Sequence, residues 1–164
     1  EIGIKCKTVE ITNLRRENKE GTVKCYYNNE DVTRNEYEEK TKQIRFSAYK
    51  EENCGIILGH NKDDLVENII TNISRNKTDN IEGMYRTSVI HGVHIERPML
   101  NISKKEIYEY AHKTNVPYLE DSTPSWSRRG KLRDILIPTM NQIEPNFLNG
   151  LLNLIQTNFN LKNE

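Results

Sequence analysis

Ile56-Ile57-Leu58-Gly59-His60-Asn61-Lys62-Asp63-Asp64-Leu65-Val66-Glu67, residues 56–67, is the stretch that decides the fold. A short apolar run ends at a glycine, a histidine-bearing turn follows, and an acidic helix start comes next. An apolar run with turn residues on both sides predicts a strand buried on both faces, the arrangement of a parallel sheet between helix layers. From Asp63 to Arg75, Leu65, Ile69, Ile70 and Ile73 recur at helical spacing. A strand feeding directly into a helix predicts the α/β class, as a doubly wound parallel sheet with helices on both faces. In such sheets ligands bind outside the carboxyl ends of the strands. His60, Asp63 and Asp64 fall at that place, and Glu67, three residues after Asp64, shares its helix face. Acids in a first helical turn are also favoured by the helix dipole alone, by about 0.3–1 kcal/mol each. The combination at one strand end, rather than any one residue, points to a site.

Upstream, residues 4–14 alternate partly and predict a strand, residues 13–21 a charged break, residues 22–27 a second short strand and residues 28–33 a turn. Residues 34–51 change to helical period, and Asn53-Cys54-Gly55 predicts a stop with glycine just past the end. Downstream, residues 78–92 are mixed, and Gly92–Ile95 predicts a strand. Arg97-Pro98-Met99-Leu100 is an extended link. Ser103 with Glu106 three residues on is a capping-box signature for a helix to about Thr114. Residues 132–137 predict a helical segment stopped by Pro138, and a last helix starts near Pro145, with a frayed tail from Asn158.

Composition narrows the class. Apolar residues make up 35% and charged residues 29% of 164, which suits a well-solvated domain with recurrent apolar runs rather than disorder. The net charge is zero, so any nucleic-acid contact must come from a local patch. Cys6, Cys25 and Cys54 match no zinc spacing, so no metal-ligating set is expected, and reduced thiols in a cytoplasmic compartment are. No run approaches the roughly 20 apolar residues of a membrane helix, so no membrane association is expected.

The run His60–Glu67 resembles the His-x-x-Asp-Asp-x-x-Glu motif of the N-type ATP pyrophosphatases that modify tRNA. Arg97-Pro98-Met99-Leu100 is similar to the Arg-Pro-Leu-Leu segment of tRNA(Ile)-lysidine synthetases, as is Val116–Thr123. Arg129-Gly130-Lys131-Leu132-Arg133 through Pro138 resembles that family's Arg-Asn-x-x-Arg-x-x-x-x-Pro signature. The resemblance covers roughly residues 56–138 clearly and most of the chain faintly. It implies residues 1–138 as the rear part of a PP-loop ATP pyrophosphatase domain and 139–164 as a C-terminal helix closing the same domain. It also implies a reaction: ATP and Mg2+ adenylate O2 of the wobble cytidine of tRNA(Ile), and free lysine displaces AMP to give lysidine. Carried over by motif, Asp63, Asp64 and Glu67 are catalytic, with Asp64 and Glu67 facing the lysine ammonium. His60, Arg97, Arg129 and Arg133 bind adenylate or substrate phosphate. Trp126, Arg128 and Lys131 add charge and a stacking surface for tRNA. The partners implied are tRNA(Ile) and free lysine, with room for a homodimer. The reading places the acids after Gly59 and the guanidinium groups between Arg97 and Arg133 around one cleft.

Three departures stand beside the resemblance. The family's Ser-Gly-Gly-x-Asp-Ser phosphate loop has no match in this sequence. Together with the start at Glu1, that reads as a fold incomplete at its N-terminal end. Asn61, Leu65 and Asn68 replace the usual His, Gln and Thr. Gly130 stands where the family carries Asn. The His-Asn-x-Asp-Asp form is also similar to tRNA thiolases, although their paired Cys-x-x-Cys motifs are lacking here. A non-catalytic RNA-binding module of the same fold is the third alternative.

Overall fold

The computed structural model describes residues 5–19, 22–77, 81, 83–119 and 123–162. The chain divides into two compact units, Glu1–Ile56 with Val89–His94, and Ile57–Ser88 with Ile95–Glu164.

The first unit holds an antiparallel meander of β1 (Leu14–Lys19), β2 (Thr22–Tyr27) and β3 (Glu30–Val32), in that order. Cys25, buried in β2, sits opposite Arg16 on one side and Val32 on the other. Asn28 and Asn29, with φ of 51° and 66°, make the two-residue turn from β2 to β3, the twist that an antiparallel hairpin favours. The strand expected at residues 4–14 lies instead at Leu14–Lys19, inside the expected charged break. Residues 5–13 carry no strand. Apolar alternation was the wrong guide here. Arg15 lies 4.8 Å from the centre of the Tyr26 ring and ion-pairs with Glu17, so polar side chains cover this ladder.

Helix α1 spans Arg34–Glu51, as its period predicts, and Thr33 with Glu36 closes a capping box at its start. Phe46 is buried edge-on to Tyr49 and His91, with ring centres 5.5 and 5.1 Å away. The helix ends at Glu51 as read, but Asn53, two residues before Gly55, takes the left-handed conformation (φ 47°). Asn is the residue besides glycine that does so most readily.

A second sheet has the order β4-β6-β5, with β4 at Ile56–Ile57, β5 at Thr87–Ile90 and β6 at Val93–Glu96. His91 (φ 51°) and Gly92 (φ 78°) form the two-residue turn between β5 and β6. That turn explains why the sequence predicts β6 and not β5, because histidine is an uncommon first residue for it. The strand expected to be buried on both faces is an edge strand of two residues. Ile57 is 74% exposed, while Ile56 and Leu58 are half-buried. One-sided pairing to β6, extended by Leu58 N–H to Glu96 O at 2.9 Å, gives one-sided burial. A mixed α/β architecture is thus present.

In the second unit α2 (Lys62–Ser74) follows β4, and α3 (Lys104–Thr114) follows the Arg97–Leu100 link. Residues 128–143 then run as one helical segment. It comprises α4 (Arg128–Lys131), a wide π-helical turn at Leu132–Leu136, and α5 (Ile137–Ile143). Pro138 does not stop this segment. It sits in the first turn of α5, where no N–H donor is needed, and the wide turn before it absorbs the break. Helix α6 (Phe147–Lys162) ends the described chain. Among the described residues, Val66, Ile69, Ile95, Leu100, Ala111 and Ile155 are the buried apolar ones of this unit. Ile69 and Ile95 are fully enclosed, each contributing about 1.5–3 kcal/mol by burial. The Glu120-Asp121-Ser122 segment of the resemblance lies outside the described residues.

The capping boxes set a pH dependence. The Ser103 hydroxyl donates to Glu106 at 2.6 Å and the Ser103 backbone N–H at 2.8 Å. These bonds, the hydroxyl's first, hold the Glu106 carboxyl below its ordinary 4.5. Thr33 does the same to Glu36. A carboxylate whose folded pKa is depressed stabilises the fold above its unfolded pKa, and that contribution disappears as pH falls through the folded value. Acid unfolding followed by circular dichroism should therefore show a weaker loss of stability below about pH 4.5 in Glu36→Gln/Glu106→Gln than in the parent. Identical acid limbs would contradict the role of both boxes.

Candidate functional site

The N-terminus of α2 is tied down by its own sequence. Asn61 accepts from the N–H groups of Asp63 (3.0 Å) and Asp64 (3.1 Å), while Asp64 Oδ2 accepts from Asn61 N–H at 3.1 Å. Asn61, one of the residues that depart from the family pattern, is therefore the N-cap of the helix. Asp63 reaches elsewhere: its Oδ2 accepts the N–H of Lys104 at 2.7 Å, joining the start of α2 to the start of α3. Lys62 N–H adds a second link, to Ile102 O at 2.9 Å.

Glu67 lies on the buried face of α2 and is only 5% exposed. A buried carboxylate requires a counter-charge, and two guanidinium groups supply it. Arg129 donates from Nε to Glu67 Oε2 at 2.5 Å and from a terminal nitrogen to Asp64 Oδ1. Arg133 donates from Nε to Glu67 Oε1 at 2.8 Å, with a terminal nitrogen 2.7 Å from the same oxygen. Two carboxylates and two guanidinium groups thus form one neutral cluster. Arg129 and Arg133, four apart, present to one face, and Arg128 donates to Ser74 Oγ at 2.7 Å near the other end of α2.

Ser127 is buried and caps the turn by accepting from Gly130 N–H at 3.0 Å. Gly130 is required by close approach. A Cβ there would stand 2.4 Å from Pro124 O and 3.0 Å from Ser125 Cα, both backbone atoms. Where the family carries Asn, Gly130 here lies against the backbone of the 124–125 segment.

Arg97 forms a second cluster. Period-two alternation along β6 buries Val93, Ile95 and then Arg97, which is 4% exposed. Its Nη1 donates to Tyr85 O (2.8 Å) and Ser88 Oγ (2.9 Å), and its Nε to His60 Nδ1 at 3.3 Å. Burial pushes the Arg97 guanidinium below its ordinary value, yet guanidinium groups stay protonated in proteins. Among the described residues no carboxylate pairs with it.

The structure therefore brings Asp64, Glu67, Arg129 and Arg133 together, and pairs His60, four residues before Asp64, with Arg97. Asp63 holds α3, and Arg128 holds the end of α2. Trp126 and Lys131 are exposed. Neither Asp64 nor Glu67 lines either of two cavities beside Lys62. One, of about 320 Å3, is bordered by Asp63, Val66, Ser103, Asn141 and Leu148. The other, of about 520 Å3, is bordered by Leu65, Ile69, Tyr85, Leu100 and Ile155. Sequence reasoning missed the capping roles of Asn61 and Ser127. Their signal was the spacing to Asp64 and Gly130, three residues on in both cases.

Residues 6–140 match the family model described as the PP-loop domain. The chain belongs to the PP-loop domain family. This PP-loop chain is 31% identical over 93 residues to the tRNA(Ile)-lysidine synthase of Chlamydia muridarum (strain MoPn / Nigg), covering 55% of the chain and 29% of that relative. It is 32% identical over 104 residues to the enzyme of the same name from Staphylococcus aureus (strain MRSA252), covering 62% and 24%. To that of Bacteroides thetaiotaomicron it is 30% identical over 118 residues, covering 68% and 27%. The chain spans about a quarter of the length of the curated relatives it matches. Among the described residues no helix is long and apolar enough to cross a membrane.

Two glycines separate close approach from open space. Gly130→Ala should destabilise the protein by roughly 1–3 kcal/mol through overpacking against backbone. Gly150 lies in α6, where a methyl group would meet nothing within 4 Å, and the same change there should stabilise by roughly 0.5–1 kcal/mol. Chemical denaturation of both variants checks this, and equal signs would refute the packing described at Gly130.

Proposed function

We propose that this chain is part of a PP-loop enzyme that modifies tRNA, adenylating O2 of the wobble cytidine of tRNA(Ile) with ATP and then joining free lysine to form lysidine. The observation that carries the reading is the convergence of Asp64 and Glu67 with Arg129 and Arg133 on one neutral cluster. It sits where a family of tRNA-modifying enzymes carries its acidic motif. The relatives are named for the substrate, and the sheet that such an enzyme would complete is the doubly wound parallel one, for which this chain would supply a part.

The chemistry needs an amine brought to an activated carbon. In our reading the lysine ammonium replaces Arg129 as counter-ion of Asp64 and Glu67. Arg129 is the more exposed of the two arginines, 53% against 22% for Arg133. It then turns to phosphate, for which its donor fork is suited. A carboxylate takes a proton from the ammonium, the free amine attacks C2 of the cytosine, and the bond from C2 to the adenylate oxygen breaks to release AMP. Arg133 stays on Glu67 and keeps that side chain in place. His60, held by Arg97, supplies a donor for an oxyanion. Trp126, Lys131 and Arg128 supply stacking and charge for tRNA.

Magnesium, bound chiefly by substrate phosphates with one or two carboxylates, finds no protein-only cage among the described residues. Among them no group of three His, Cys, Asp or Glu side chains is arranged to hold a metal ion, and Asp64 and Glu67 are already bound to guanidinium groups. No step is therefore assigned to Mg2+ on these residues.

A non-catalytic RNA-binding module is favoured by one observation, the full occupation of both carboxylates by arginine. Labelled-lysine incorporation into tRNA(Ile) by the full-length protein separates the two. Asp64→Ala should retain the fold and lose incorporation by at least 100-fold, on the order of a positioned acid–base group. Undiminished incorporation would rule out the role given to Asp64. Salt-dependent tRNA binding without incorporation in the unsubstituted protein would favour the module.

A further inference from the structure

We infer that Arg97 is a positioning residue that acts through His60, fixing which imidazole nitrogen carries the proton; the inference rests on the reading of His60 as an oxyanion donor. Arg97 is held independently of His60. Its backbone N–H donates to Arg86 O at 2.7 Å, and its Nη1 is anchored on Tyr85 O and Ser88 Oγ. Val93 and Ile95 precede it on the buried face of β6, so the guanidinium has little room to move.

A guanidinium offers donors and no acceptor. The imidazole atom that meets Arg97 Nε at 3.3 Å must therefore bring a lone pair, and that atom is Nδ1 of His60. A neutral imidazole that accepts at Nδ1 carries its proton at Nε2. The opposite tautomer would set two N–H groups against each other. A flipped ring would oppose a carbon to Nε and leave a buried charged donor unmade, which is costly.

The consequence is a choice of chemistry. A histidine whose Nδ1 donates to a carboxylate or carbonyl exposes an Nε2 lone pair and serves as a base or metal ligand. Arg97 imposes the reverse. His60 carries an N–H at Nε2, which attracts an oxyanion such as a phosphate oxygen and is unsuited to take a proton there. His60 thus acts as an electrophilic donor, and Arg97 sets that role without touching substrate.

The test uses the protein labelled with 15N in its histidines, without tRNA, ATP or lysine. Long-range 1H–15N correlation is recorded at about pH 8, where an ordinary imidazole is neutral. His60 in the unsubstituted protein should show an unprotonated Nδ1 and a protonated Nε2. In Arg97→Met, which keeps the bulk and removes the donors, the two tautomers should mix. Arg97→Lys should retain the original pattern. A protonated Nδ1 in the unsubstituted protein overturns the inference, as does an unchanged pattern in folded Arg97→Met. The first spectrum decides the tautomer by itself, so a variant that fails to fold does not blunt the test. Failure of lysine incorporation would count against the proposed reaction and leave this spectrum unchanged.

Discussion

A carboxylate withdrawn from water has to be neutralised where it lies, and Glu67 on α2 meets that requirement with two guanidinium groups from a segment more than sixty residues away in sequence. Removing one partner of such a buried pair is strongly destabilising, by about 3–5 kcal/mol when both are fully enclosed, and by less when the arginines are partly exposed as here. Glu67 therefore specifies how the 128–143 segment lies along α2. Gly130 and Ser127 shape the turn that delivers Arg129, and Asn61 holds Asp64 where Arg129 can reach it. Each of these small local choices serves the same ion cluster.

The two clusters differ in electrostatic state. Asp64, Glu67, Arg129 and Arg133 balance among themselves, so a cationic guest can enter only by displacing an arginine. Arg97 has no carboxylate partner among the described residues, and its charge is directed instead at a carbonyl, a hydroxyl and an imidazole. An anion would meet uncompensated positive charge there. In the proposed reaction the first cluster takes the lysine amine and the second, through His60, faces a phosphate oxygen.

Much of this was legible in the sequence because local rules governed it. α1 and α3 follow from helical period, α3 also from Ser103 as its cap, and the acids after Gly59 mark the start of α2. Reading failed where tertiary pairing overrode pattern. β1 is charged on both faces and forms because β2 offers it a ladder. Ile57 looks like a core residue but belongs to an edge strand. Pro138 looks like a stop but sits where a helix tolerates it. At the site, residue identities were readable and partnerships were not. Nothing local tells Glu67 that Arg129 and Arg133 will neutralise it, and Asn61 looked like a departure from a family pattern when it is a helix cap.

Glu67 and Arg133 are energetically coupled, and a double-mutant cycle measures that coupling most directly. Chemical denaturation of Glu67→Gln, Arg133→Gln and the double variant should give single losses whose sum exceeds the loss in the double variant by at least about 1 kcal/mol. Additive losses, within about 0.3 kcal/mol, would mean that the two side chains do not stabilise each other and would contradict the account of how the site is built.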